Sequence, residues 1–103
     1  MRRTKIVQQI ATALHTEWPD AKVILFGSEA RGDAKPQSDI DLMILLNQDK
    51  VGYFEKDAIC TPLYEIEMRT GIPINAHIHS QSYWNNRPMD YFKLNIQNEG
   101  KQL

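Results

Sequence analysis

Apolar residues recur every fourth position near the start of the chain, at Ile6, Ile10 and Leu14, with Val7 beside them. That spacing stacks them on one helical face and predicts an amphipathic helix. Trp18-Pro19-Asp20 ends it, because proline restrains the residue before it and blocks helix continuation. Val23 to Phe26 is then a short apolar run closed by Gly27, which reads as a buried strand. Residues 28–38 are polar and contain Gly32 and Pro36, so a short helical turn followed by a loop is expected. From Ile40 to Leu46 the apolar run is nearly continuous. Such a strand belongs in the sheet interior with both faces covered.

The second half is less regular. Residues 51–70 read as a helix that ends at Gly71, with Leu63 and Ile66 in phase and Arg69 in the last turn. Pro62 should kink that helix or begin a second one. Ile72 to Ile78 is a third strand, with Ile74, Ala76 and Ile78 facing one way and Asn75 and His77 the other. A last helix is expected over about residues 88–98, with Tyr91, Leu94 and Asn98 along one side and Gly100 as its stop. Tyr83, Trp84, Tyr91 and Phe92 should pack it onto the sheet. The order αβαβαβα describes a small α/β sandwich, a central mixed sheet covered by helices. Residues 1–103 have room for a single domain.

Charge narrows the function classes. Twelve basic against 13 acidic side chains leave a net charge of -1, without the basic footprint that long nucleic acid requires of a main partner. A small anionic substrate remains open. Cys60 stands alone, so no internal disulfide forms, and no Cys/His cluster has structural zinc spacing. No stretch has signal-peptide character or could span a bilayer, so no membrane partner and a cytoplasmic location are expected.

The chemistry concentrates in residues 23–46, VILFGSEARGDAKPQSDIDLMILL. Gly27 lacks a Cβ, so the backbone can turn sharply and let a phosphate approach. Ser28 adds a hydroxyl and a backbone N–H at the start of a short helix, where unpaired N–H groups favour anions. Asp39 and Asp41 are two apart on a strand, so both carboxylates emerge on one face. They repel unless a cation sits between them, and a hard ion such as Mg²⁺ meets that need with oxygen ligands shared with phosphate.

Gly-Ser, ten residues and then Asp-x-Asp resembles the signature of the DNA polymerase β-type nucleotidyltransferase superfamily. The fuller run GSEARG…SDIDL is similar to its minimal nucleotidyltransferase branch, which includes the MntA-type antitoxins that partner HEPN-domain toxins. The resemblance implies Mg²⁺-dependent transfer (Mn²⁺ being an alternative) of a nucleoside monophosphate, AMP from ATP, to a hydroxyl of a protein or small molecule. It implies that Gly27 and Ser28 hold the phosphates, that Asp39 and Asp41 bind metal, and that Arg31 contacts phosphate or braces the loop through a carboxylate; the alternative for Arg31, apart from the resemblance, is an ordinary surface pairing with Glu29 or Asp33. A HEPN-type toxin, or a second copy of the chain, would complete the acceptor side.

The superfamily usually supplies a third carboxylate from the next strand. Here Asn75 takes that place, and an amide adds no charge and is no useful base. His77, two residues on, is a candidate substitute base; as a pair, His77 and His79 read as ordinary surface or half-buried side chains. The alternative reading is a catalytically weakened nucleotide-binding or partner-binding subunit that neutralises a toxin sterically.

Overall fold

The computed structural model describes residues 2–103. The element order is α1 (Arg2–Glu17), β1 (Lys22–Phe26), α2 (Gly27–Arg31), β2 (Ile40–Leu46), α3 (Tyr53–Thr70), β3 (Ile74–Ser80), α4 (Gln81–Asn86), α5 (Tyr91–Glu99) and β4 (Lys101–Gln102). The four strands form one mixed sheet in the order β3-β2-β1-β4. β1 runs antiparallel to β2 and β4, while β2 and β3 are parallel, with α3 as the crossover that a parallel pair requires. No helix of the described residues is long and apolar enough to cross a membrane.

β2 is the middle of the structure. Its alternate residues Ile40, Leu42, Ile44 and Leu46 join the core formed with α1 and α3, where Ile6, Ile10, Leu14, Ile59, Leu63 and Ile66 are buried. Met43 and Leu45 point to the other face, into a smaller cluster with Trp84 and Ile96. Both faces are therefore covered from Leu42 onward, as the nearly continuous apolar run requires. Ile74, Ala76 and Ile78 of β3 pack toward the larger core, leaving Asn75, His77 and His79 on the opposite face.

Several boundaries differ from expectation, each for a local reason. β3 begins at Ile74, not Ile72, and the Pro73 carbonyl accepts from Ile40 N at 2.9 Å, so the ladder starts there. Pro62 neither ends α3 nor begins a new helix. It removes one N–H from the ladder, and the preceding Thr61 hydroxyl donates to the Asp57 carbonyl at 3.0 Å. α4 was not foreseen: Ser80 caps it by accepting from Tyr83 N at 3.0 Å, and Trp84 anchors it. α5 starts at Tyr91 because Asp90 is its N-cap, accepting from Lys93 N at 2.9 Å.

That cap also sets the phase of α5. The buried side chains are Lys93 and Ile96, whereas Tyr91 and Leu94 face outward, the reverse of the expected Tyr91-Leu94-Asn98 face. Lys93 tolerates burial because its Nζ donates to the Arg87 carbonyl at 2.7 Å and lies 5.6 Å from the Trp84 ring centre. Of the four aromatics expected to pack here, Trp84 and Phe92 do so, while Tyr83 and Tyr91 remain exposed. Gly100 ends α5, and the short β4, also unforeseen, pairs with Ile24 and Leu25 of β1.

His79 stacks on Tyr83 at 4.4 Å between ring centres. Burial holds its pKa below the ordinary value, reinforced by the positive charges of Lys56, His77 and Arg87. The unfolded chain, with a His near about 6.5, takes up that proton first. Stability from this group is thus present above the unfolded pKa and is lost as pH falls through it. Urea melts at pH 7.5 and 5.5 should show a loss on acidification that His79→Gln reduces; an unchanged pH slope would contradict this.

Candidate functional site

The end of β1 and the starts of β2 and β3 meet on the face that carries Met43 and Leu45. Asp39 lies one residue before β2 and Asp41 within it, so strand alternation sends both side chains to that face. Asp41 is paired with Phe26 of β1 on one side and with Asn75 of β3 on the other. The Asn75 amide donates to Asp39 Oδ2 at 2.8 Å and to Asp41 Oδ1 at 3.2 Å. Both carboxylates therefore reach one common point, and the amide hydrogens offset their mutual repulsion.

Gly27 follows Phe26 with φ 75°, and a Cβ there would overlap the Asp41 carboxylate. Glycine is thus required twice, for the left-handed backbone and for the close approach of the turn to Asp41. α2 begins at Gly27, and no side chain caps its N-terminus. Its first N–H groups have no intrahelical partner, and Ser28 stands among them.

Arg31 lies in the carboxylate-bracing arrangement. It donates to Asp33 at 3.3 Å and to Glu99 of α5 at 3.1 Å, and Asp33, chiefly by its hydrogen bond, raises the Arg31 pKa further. Glu29, the other partner considered, pairs instead with Arg3 of α1. The Arg3 guanidinium also donates to the Pro36 carbonyl at 3.1 Å and to the Ser38 carbonyl at 2.7 Å. One largely buried side chain thus ties helix α1 to both ends of the loop between Gly27-Ser28 and Asp39. Sequence reasoning missed Arg3. Its signal was a basic residue at a helix N-terminus, where the helix dipole disfavours it and a specific partner is needed. Arg3→Ala should cost about 2 kcal/mol, the scale of charged hydrogen bonds lost from a loop. A urea midpoint equal to that of the native chain would refute the clamp.

His77 does not touch the carboxylates. Its ring sits 5.8 Å from Phe26 and 5.6 Å from Phe92, in an aromatic cluster. Cys60 is exposed. Among the described residues, no three His, Cys, Asp or Glu side chains converge as a metal cluster. The oxygen set that can hold a metal is the Asp39–Asp41 pair, a hard donor set that fits Mg²⁺ or Mn²⁺ and not a thiophilic ion; Asn75, whose amide nitrogen faces the pair, would add its oxygen only by turning its amide over.

Residues 7–99 match the nucleotidyltransferase domain family. The chain belongs to that family. A Methanocaldococcus jannaschii protein named as an inferred protein adenylyltransferase is 31% identical over 105 residues, covering 100% of this chain and 99% of the relative. Two solved structures share the fold. The crystal structure of an inferred nucleotidyltransferase from Sulfolobus solfataricus has a TM-score of 0.59 at 17% identity, covering 98% of this chain and 78% of the other. A toxin–antitoxin structure with AMP-PNP has a TM-score of 0.64 at 18% identity, covering 92% and 69%. Nucleotidyltransferases generally use a nucleoside triphosphate and a divalent metal. This member of the family presents a glycine turn, an uncapped helix start and two convergent carboxylates within one small region.

Proposed function

We propose that this nucleotidyltransferase transfers AMP from ATP to a protein hydroxyl, with Gly27 and Ser28 holding the β- and γ-phosphates and Asp39 and Asp41 holding Mg²⁺. The observation that carries this reading is the Asn75 amide bonded to both carboxylates, which marks one point that both reach, directly beside the Gly27 turn. The protein acceptor draws support from the name of the archaeal relative. A bound divalent ion would offset charge on the triphosphate and on the attacking oxygen. Asp39 and Asp41 supply the negative charge that retains it, while the backbone N–H groups at the start of α2 meet phosphate oxygens. The acceptor oxygen bonds to the α-phosphorus as the bond to pyrophosphate breaks. The electron pair leaves with pyrophosphate and the hydroxyl proton passes to water, since the region around Asn75 is open to solvent.

Incubation with α-labelled ATP, Mg²⁺ and soluble extract of its own source cell tests this. A labelled protein band with the native chain, absent with Asp41→Asn, is the expected result. No band would favour the second reading, a partner-binding antitoxin subunit that acts sterically, for which the missing acid at Asn75 is the specific observation. In that case the Asp39→Asn, Asp41→Asn double variant would neutralise its toxin as well as the native chain does.

Asn75→Asp separates metal binding from turnover. A third carboxylate should tighten Mg²⁺ binding by about tenfold, because affinity follows ligand charge in such sites. Thermal melts across a Mg²⁺ series would read this, and an unchanged Mg²⁺ dependence would argue against a metal at this point.

A further inference from the structure

The sheet order separates two sides of the candidate site. Gly27 and Ser28 follow β1, the carboxylates lie on β2, and Asn75 lies on β3, the last strand. With phosphates on the β1 side, an acceptor must arrive from the β3 side. The outer edge of β3 is open there. Pro73 turns its carbonyl inward to Ile40, and Ile74 N–H points outward to Glu67 Oε1 at 2.7 Å. Alternation then turns the main chain of Asn75 and His77 toward β2 and that of Ala76 outward. No described residue bonds the outward N–H or carbonyl of Ala76. Edge strands are usually blunted by proline, lysine or a bulge; β3 itself has none of these, and Pro73 lies before it with its carbonyl turned inward.

A groove of about 580 Å³ runs along this edge, walled by Cys60, Leu63, Tyr64 and Glu67 of α3, and it reaches Asn75. Glu67 is its one carboxylate, no Lys or Arg lines it, and Asp39 and Asp41 adjoin its end. One Glu67 oxygen is committed to Ile74 and the other can accept from a cation. We propose that this groove is the acceptor site, in which an extended basic polypeptide segment pairs with β3 as one further strand and presents a Ser, Thr or Tyr hydroxyl beside Asn75. The inference rests on the transfer reading above.

The geometry follows from strand pairing. A residue opposite Asn75 on an added strand projects to the same face, with Cβ atoms roughly 5 Å apart, so its hydroxyl lies beside the carboxylate pair. That oxygen bonds to the α-phosphorus, pyrophosphate leaves with the electron pair of the broken bond, and the proton goes to water. A second copy of the chain is the poorer occupant. Edge-to-edge pairing would bring two acidic grooves together, each with Glu67 and no cation.

The test uses synthetic decapeptides with one Ser, Thr or Tyr flanked by Lys, α-labelled ATP and Mg²⁺. Labelling should fall by at least about tenfold, the worth of a lost hydrogen bond, when alternate peptide nitrogens are methylated, and again when the enzyme carries Ala76→Pro. Ala76→Pro deletes an N–H that the β2–β3 ladder does not use, and the methylated peptides test the same contact on the native protein. Glu-flanked peptides should label at least about tenfold less than Lys-flanked ones, by charge repulsion at Glu67. Equal labelling of plain and methylated peptides would overturn the strand pairing. So would a native dimer, seen by sedimentation, that Ala76→Pro dissociates while peptide labelling is unchanged. Labelling of a protein in extract but of no peptide would overturn this docking mode alone. Absence of labelling on every acceptor would overturn the transfer reading and the groove's role together.

Discussion

Asp41→Asn is expected to reduce nucleotidyl transfer by at least about 10³-fold, a loss of roughly 4 kcal/mol of transition-state stabilisation, while the fold persists. The substitution keeps the side-chain shape and removes one negative charge from a pair whose other member, Asp39, meets the same Asn75 amide. Without metal, two neighbouring carboxylates are a liability that the amide only partly offsets. Activity and stability should therefore move apart. In EDTA the variant should melt at the same temperature as the native chain or higher. Added Mg²⁺ should raise the melting temperature of the native chain and have little effect on the variant, because ligand binding stabilises only a state that binds. Transfer within a factor of a few of native would remove Asp41 from the metal-binding role. An Asp41→Asn chain that still gains stability from Mg²⁺ would place the ion elsewhere.

The parts of the fold that were legible are those in which one physical signal dominates. β2 was readable because a strand covered on both faces is apolar along nearly its whole length, and Ile40 to Leu46 is so apart from Asp41 at the end that carries the site. The alternation of Ile74, Ala76 and Ile78 against Asn75 and His77 was readable because strand period is fixed, and the register then sets Asn75 opposite Asp41. Short elements carried weaker signals. α4 and β4 depend on a Ser80 cap and on two residues finding the edge of β1, contacts that no periodicity announces. The phase of α5 was misread because Asp90 sets where the helix starts and a lysine occupies a core position, its charge met by the Arg87 carbonyl just before the helix.

At the candidate site the same division holds. Gly27, Ser28, Asp39 and Asp41 are close in sequence, and local rules bring them together. The partners that hold them are remote. Arg3 meets Glu29 and Ser38 across α1, and Arg31 meets Glu99 68 positions away. Such contacts follow from the packing of helices on the sheet, which spacing along the chain does not encode. Arg31 shows the cost of that blindness. Sequence reasoning offered phosphate contact or a carboxylate brace; Asp33 was foreseen as a partner, and Glu99 was not.

Gly27→Ala should lose far more transfer than stability, and Gly32→Ala supplies the contrast that makes the result interpretable. Both glycines have positive φ, 75° and 81°, so each substitution incurs a similar backbone cost, about 1–2 kcal/mol for a left-handed L-residue. They differ in what the new methyl meets. At Gly32 nothing lies within 4 Å, whereas at Gly27 it overlaps the Asp41 carboxylate, with the carboxyl carbon at 3.2 Å and Cβ at 3.4 Å. Asp is too short to swing aside and keep its oxygen at the point shared with Asp39. Relief of the clash therefore displaces the carboxylate or pushes the phosphate-binding turn away from it. Transfer by Gly27→Ala should fall by at least about 10²-fold, as expected when reacting groups are misplaced by about 1 Å, and its Mg²⁺ stabilisation should weaken. Gly32→Ala should lose similar stability and retain transfer within a few-fold. Denaturant midpoints and labelling rates on the two variants decide it. Parallel losses in both would mean that only loop strain matters, and that the close approach of Gly27 to Asp41 plays no part in the chemistry.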